Sequence, residues 1–407
     1  MKEEKESTKE VIHEIVRLIL VLSFALLLAM VSSLRAIAIN GRSSTSFYGY
    51  QEDVKHSELY QKLDFDLLEL GTQKLSIHSY TQISKDISAN DDIETKIRNA
   101  YFNWKENALD IRVGRQFISR GIGRASIDGL MVQYQQSGAF SITGYAGTES
   151  PFDSVDVRSW SDGNTIGSYV SLDCFKNSFI GVSWVRKERN NECDRHAIGF
   201  DTDSRVSVIR LYSQGEMNIL EGEVNKILAG IGYRASRKAQ LYTEYRYSKP
   251  AFRKSSVFNE FEINSAQQLR VGINCVCIEL LRISGEYSLL NKSAVSHRVH
   301  GEISSRNISI GYIYGSGYGG SENSVIVNMK LAIANRFRLG AGARYSKYSL
   351  SERLHVSDES ITTHINCSYR FMRNWDLSAR VENYKNKHYE YDTRVVINTT
   401  ILFHQHK

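Results

Sequence analysis

From Ile39 onward the apolar residues of this 407-residue chain recur with a period of two, and no helical period persists. In an extended strand successive side chains point to opposite faces, so this alternation describes ribbons with one apolar and one polar surface. Between Thr165 and Cys174, one face carries Ile166, Val170, Leu172 and Cys174, and the other carries Thr165, Gly167, Tyr169, Ser171 and Asp173. After Lys176-Asn177 the apolar face resumes at Ile180, Val182 and Trp184. The pattern sharpens toward the C-terminus. Phe337, Leu339, Ala341, Ala343 and Tyr345 alternate with Arg336, Arg338, Gly340, Gly342, Arg344 and Ser346. Ile361, Thr363, Ile365, Cys367 and Tyr369 alternate with Thr362, His364, Asn366, Ser368 and Arg370.

Two kinds of connection punctuate the alternation. Tight turns are expected at Gly71-Thr72, Glu106-Asn107, Ser137-Gly138, Lys176-Asn177, Ser204-Arg205, Arg237-Lys238, Val276, Ser305-Arg306, Asn335-Arg336 and Arg373-Asn374. Between them lie longer polar stretches at 51–57, 83–94, 118–128, 148–164, 188–194, 249–264, 290–294, 316–322, 349–358 and 385–391. The least regular segment, 206–225, is expected to hold one long strand and an outer loop. Short and long connections take turns along the chain, which is the layout of a membrane-spanning barrel. Counting hairpins predicts about 22 strands, with 18 to 24 accepted, at roughly 17 residues per strand and connection against ~9–11 for the span itself. The expected fold is all-β: a closed antiparallel transmembrane β-barrel, with residues 39–407 as one domain and no stretch left over for a plug.

A soluble β-sandwich also alternates, so the membrane reading needs further support. Sandwich edges are blunted with proline, charge or bulges, yet this chain has only Pro151 and Pro250. A sheet of some twenty strands normally curls or splits, and closure removes its edges. In lipid, closure is compulsory because every backbone polar group needs a partner. Aromatic residues bracket the apolar faces, among them Tyr101, Phe102 and Trp104, Tyr245 and Tyr247, Tyr312 and Tyr314, and Trp375. Rings with polar edges collect at membrane interfaces. A mean hydropathy of −0.34 is compatible with this, since only one face of each strand meets lipid.

Residues 1–38 read as a signal peptide. Leu18 to Val31 is apolar apart from Ser23, too short for a spanning helix of ~20 residues. Arg17 precedes it, and Ala36-Ile37-Ala38 supplies a small-x-small cleavage pattern, placing the mature start near Ile39. The preceding region departs from the usual positive charge, with Glu3, Glu4, Glu6, Glu10 and Glu14 against Lys2, Lys5, Lys9 and Arg17. An uncleaved N-terminal anchor is the alternative. The net charge of +6 is mild and forms no basic cluster that would bind nucleic acid. Cys174, Cys193, Cys275, Cys277 and Cys367 show neither metal nor haem spacing, and read as small residues on apolar faces.

Over the whole mature region the pattern resembles Gram-negative outer-membrane porins. Leu109-Asp110-Ile111-Arg112-Val113-Gly114-Arg115-Gln116, then Gly121-Ile122-Gly123-Arg124 and Asp128-Gly129, looks like the strand, G-R-Q, loop and D-G succession of porin-like proteins. Arg394 to Phe403 looks like a closing strand whose terminal aromatic serves as an assembly signal, although His404-Gln405-His406-Lys407 follow it. The resemblance implies an outer-membrane location with both termini periplasmic, lipid around the barrel, and small hydrophilic solutes or ions as its cargo.

If the apolar parity meets lipid, the opposite parity lines the lumen. It includes Arg112, Gln116, Arg270, Arg282, Arg298, Lys330, Arg338, Arg344, Arg370 and Arg380, with acids such as Asp110, Glu244, Glu286, Glu302 and Glu382 interspersed. Two readings stand: an ion-pair lattice that stiffens a wide wall, or a charged conduit with a weak anion preference, since rings of Arg and Lys favour anions. Loop 118–128 is the expected constriction, with Gly121-Ile122-Gly123 allowing a tight bend and Arg120 and Arg124 placing charge at the narrowing. An ordinary external loop is its alternative. Parity places Arg115 on the lipid side near the rim. No nucleophile, carboxylate-pair, metal, phosphate-loop or nucleotide motif is present, so neither an enzyme nor a cofactor is implied. The expected function is passive or weakly anion-selective diffusion. The alternative is a barrel that sheathes a periplasmic electron carrier or an exported polymer, and so has a periplasmic protein partner.

Overall fold

The computed structural model describes residues 38–405 apart from 52–54, 71, 73, 90–91, 137–139, 152–155, 176, 251–263, 279, 318–319, 350–356 and 388–391. The signal-peptide segment therefore lies outside the described residues. The chain forms β1 (Ala38–Gln51), β2 (Lys55–Leu68), β3 (Leu75–Asp86), β4 (Glu94–Glu106), β5 (Leu109–Arg120), β6 (Gly123–Gln136), β7 (Phe140–Glu149), β8 (Asn164–Phe175), β9 (Ser178–Arg189), β10 (Glu192–Val206) and β11 (Ile209–Asn218). It continues through β12 (Glu223–Tyr233), β13 (Ala239–Ser248), β14 (Ala266–Ile278), β15 (Leu281–Asn291), β16 (Val295–Ser304), β17 (Ile308–Gly317), β18 (Ser321–Ala334), β19 (Phe337–Ser349), β20 (Ser357–Met372), β21 (Trp375–Lys385) and β22 (Asp392–Gln405).

Each strand pairs antiparallel with its sequence neighbours, and β1 pairs with both β2 and β22. The 22-stranded sheet thus closes on itself. Closure leaves no edge, so two prolines in the whole chain suffice without edge-blunting devices. The closing strand runs two residues past Phe403, with His404 opposite Asn40 and Gln405 opposite Ile39.

One end carries connections of two to six residues; the other carries the long ones at 150–163 and 249–265 but also two-residue turns at 121–122 and 190–191, so the expected longer stretch 188–194 is mostly strand. Asn107 and Asn177 adopt positive φ, 49° and 65°, at two of the tight turns; asparagine tolerates this left-handed conformation better than most residues. Two expected turns shift. The strand read as ending at Ser204-Arg205 continues to Val206, and the one read as turning at Val276 runs to Ile278 after a register shift between Val276 and Ile278. In both, the ladder takes up residues whose side chains are too apolar to require a turn. The segment 206–225 resolves into β11, a connection at 219–222 and the start of β12.

Directly opposed residues share a face, so the register carries parity around the wall. Val182 faces Phe200 and Val170; Val271 faces Thr243 and Tyr287; Ile365 faces Ala341 and Val381. This parity holds the exposed large apolar side chains, including Val170, Val182, Ile198, Phe200, Val271, Ile273, Ile310, Ile365 and Val381. Soluble monomers rarely expose contiguous apolar surface beyond a few hundred Å². A belt that circles a closed barrel is the surface a bilayer covers.

Candidate pore and its inward hairpin

The wall is interrupted at one place. β5 leaves β4 after the pair Arg115 and Ala100, and β6 joins β7 only from the pair Ile127 and Glu149. Between those points β5 and β6 pair solely with each other, up to Arg120 opposite Gly123. The expected loop 118–128 is therefore a strand hairpin with a turn at Gly121-Ile122, and this corrects the sequence reading. Its alternation remains that of a ladder because it still forms one.

The hairpin tip packs on the lumen parity of β7 to β10. The Ile122 amide donates to Ser183 Oγ at 3.2 Å, and Arg195 donates to the Ile122 carbonyl at 3.4 Å. Lys187 Nζ donates to the Arg124 carbonyl at 3.1 Å. Ile122 is buried with Val185 and Ala197, while Ile118, Ala125 and Ile127 are buried with Met131 and Tyr145. Burying each isoleucine stabilises the inward position by roughly 1.5–3 kcal/mol. Gly121 has φ 53°, which glycine accepts without strain. Gly199 lies so close to the Ile122 side chain that a Cβ there would overlap it.

Two groups replace the lost wall contacts. The Phe117 amide donates to Asn99 Oδ1 at 3.2 Å, and the Ser150 amide donates to the Ser126 carbonyl at 2.9 Å. Arg115 sits on the outer parity, as expected, yet it is only 6% exposed at its side chain. It makes a two-pronged bond to Asp128, 2.8 and 2.9 Å, and donates to the carbonyls of Ile97 at 3.2 Å and Asp156 at 2.7 Å. Arg115 thus ties the 150–163 connection across the opening left by the hairpin.

The residues expected to line the lumen separate into three sets. Arg112, Arg270, Arg298, Arg344, Arg370 and Arg380 are ion-paired within the wall. Arg112 meets Asp110 at 3.1 Å, Arg270 meets Glu286 at 2.6 Å and Glu244 at 3.5 Å, and Arg370 meets Asp376 at 2.8 Å. Arg344 and Arg298 share Glu322 at 2.5 and 3.7 Å, and Arg380 pairs with Glu382. Arg282, Lys330 and Arg338 lie on the same parity without an ion pair among the described residues. The hairpin carries the third set: Arg120 donates to Gln133 at 3.0 Å, and Arg124 is exposed. Gln116 is a correction. It is 1% exposed and donates to the carbonyls of Arg112 and Gly129, both at 3.3 Å, so it braces the base of the hairpin and faces no open lumen.

Sequence parity alone missed the receiving wall: Tyr145, Ser183, Val185, Ala197 and Gly199. The signal was present. These inward positions are small or apolar where other strands place charge, and Ile118, Ala125, Ile127 and Met131 are apolar on the normally polar parity of β5 and β6. Opposite them the lumen wall of β14 to β21 is rich in hydroxyls, and a cavity of about 700 Å³ is lined there by Ser288, Ser321, Ser346, Tyr348 and Tyr384 beside Arg298 and Arg344.

A closed antiparallel barrel of even strand number, apolar outside and polar inside, has the architecture of a transmembrane β-barrel of the outer-membrane type. Among solved structures the chain is similar to Pseudomonas aeruginosa OpdQ, at 8% identity over 92% of this chain and 100% of that one, TM-score 0.47. Acinetobacter baumannii OccAB3 is similar at 10% identity, 91% and 100% coverage and TM-score 0.47. A BenF-like porin from Pseudomonas fluorescens Pf-5 is similar at 8% identity, with the same coverages and TM-score as OccAB3. No protein-family profile and no curated protein matches the sequence.

Proposed function

We propose that the protein is an outer-membrane pore for passive, weakly anion-selective diffusion of small hydrophilic solutes, with its termini and short turns on the periplasmic side. The observation that carries this reading is the β5–β6 hairpin, which brings Arg120 and Arg124 off the wall and into the cross-section of a 22-stranded lumen. A barrel that sheathed another protein would need the space this hairpin takes up. The paired arginines of the wall hold its geometry and contribute little net field, because each has an acid beside it, with only Arg298 and Arg344 of these six sharing one, Glu322. Selectivity then falls to lumen cations without such a partner among the described residues, chiefly Arg120 and Arg124 at the constriction, with Lys62, Lys226 and Lys330 along the wall and Arg282 and Arg338 at the short-turn mouth.

Reversal potentials in planar bilayers under a salt gradient test the proposal. The wild type should favour chloride, less so as salt rises and screens the fixed charges. Arg120→Glu with Arg124→Glu should move the preference toward cations. An unchanged reversal potential in that double variant would remove the hairpin from the conduction path, and a silent barrel would remove the pore.

A further inference from the structure

The mouth formed by the short turns is lopsided in charge. On the half built from β10 to β21, the turns carry Arg234, Arg237 and Lys238 between β12 and β13, Arg306 between β16 and β17, Arg336 between β18 and β19, and Arg373 between β20 and β21. All six are exposed, and none has an ion-pair partner among the described residues. Arg205, Arg282 and Arg338 add charge on the lumen parity of the adjoining strand ends. Of the acids described at these strand ends, Asp203 is taken by Arg210 and Asp376 by Arg370, which leaves Glu302 of β16 as a single unpaired acid on the lumen parity among the described residues. By sequence, Glu279 is the one acid in these turns.

The other half of the mouth is balanced. Lys74 pairs with Glu106, and Glu69 and Asp173 stand against Lys105 and, by sequence, Lys176. Solubility alone does not account for the difference, since mixed charge serves it as well and like charges crowded on one rim repel. Nor does lipid account for it. A leaflet surrounds a barrel evenly, whereas these cations follow one arc, and Arg205, Arg282 and Arg338 turn into the mouth and away from lipid.

We propose that this basic crescent docks an acidic protein surface that approaches the short-turn mouth from one side. Complementary potentials across such an interface raise association rates and fix orientation. The inference can be tested apart from the pore reading, because the variants below change only turn residues and none of the cations assigned to selectivity.

The probe is fluorescently labelled poly-L-glutamate, titrated at low salt against the full-length barrel in zwitterionic nanodiscs, with binding read by anisotropy. Wild type should bind, and raised salt should abolish binding. Combined Arg234→Glu, Arg237→Glu and Lys238→Glu should weaken binding about tenfold or more. Combined Lys74→Glu, Lys105→Glu and Lys176→Glu, the same charge change on the opposite half, should leave it nearly unchanged. Heat-modifiable migration of both triple variants verifies that they fold. No binding to wild type, or equal losses in the two variants, overturns the proposal. So does a third result, in which the barrel ignores polyglutamate and its stability follows the phosphatidylglycerol content of the disc, which would make the crescent a lipid site. Conductance is measured separately, so a failed docking surface and a failed pore give different results.

Discussion

At the scale of single residues, the contacts that hold the hairpin inside decide most about the lumen. Arg115 and Asp128 form a largely buried pair, with side chains 6% and 16% exposed. Removing one partner of a buried pair leaves the other charge uncompensated, at a cost of about 3–5 kcal/mol. Arg115→Ala should therefore lower the urea midpoint of the barrel and expose the 150–163 connection to protease, and Arg115→Met with Asp128→Leu should recover most of the loss. Gly199 tests the tip. A side chain there meets Ile122, and overpacking of this kind costs roughly 1–3 kcal/mol. Gly199→Leu should push the hairpin off β9 and β10, raising single-channel conductance while leaving the sheet signal in circular dichroism intact. An unchanged conductance would show that the tip tolerates displacement without widening the path. Gln116 teaches the converse lesson. Its parity made it a lumen candidate, yet its two bonds to carbonyls bury it at the hairpin base.

At the scale of strands, parity is the property the sequence displays best. Alternation in β8, β19 and β20 assigned Ile166, Val170, Leu339 and Ile365 to the apolar face, and the register places them there. Ile365→Arg should destabilise the barrel by roughly 2–4 kcal/mol if the residue lies near the bilayer midplane, whereas Thr362→Arg, on the lumen parity, should cost much less. Equal shifts in unfolding midpoint for the two variants would reject the parity assignment. Strand ends were harder to read. The turns expected at Ser204 and Val276 lie a few residues further on because Val206 and Ile278 extend the strands, and periodicity alone sets no stop there. The hairpin was read as a loop for a related reason: Gly121, Gly123 and Ser126 resemble turn residues, and nothing local distinguishes a ladder in the wall from one inside the lumen.

At the scale of the whole molecule, closure and the apolar belt determine where the protein can reside. It should fractionate with the outer membrane, migrate differently with and without heating, and give a sheet-dominated circular dichroism spectrum. A soluble periplasmic monomer would contradict the belt. Intact mass of the isolated protein tests the expected start near Ile39, and a mass that retains residues 1–38 would favour the anchor reading. Charge distribution also belongs to this scale. The wall is largely neutralised pair by pair, so the field inside the barrel is left mainly to cations at the hairpin, along the lumen and at the short-turn mouth.

The chain by itself determined the class of fold, the approximate strand number and the face on which each wall residue lies. Those follow from a period of two and from the alternation of short and long connections, both of which are local in sequence. Only the tertiary structure decided that β5 and β6 leave the wall after Arg115 and return at Ile127. That choice rests on contacts between residues some sixty to eighty positions apart, Ile122 with Ser183, Val185, Ala197 and Gly199. Within the hairpin the backbone hydrogen bonds are the same in either position. What differs is the ladder to β4 and β7, given up between Arg115 and Ile127, and the surface that receives Ile118, Ile122 and Ile127, whose burial against an inward face of small and apolar residues offsets that loss.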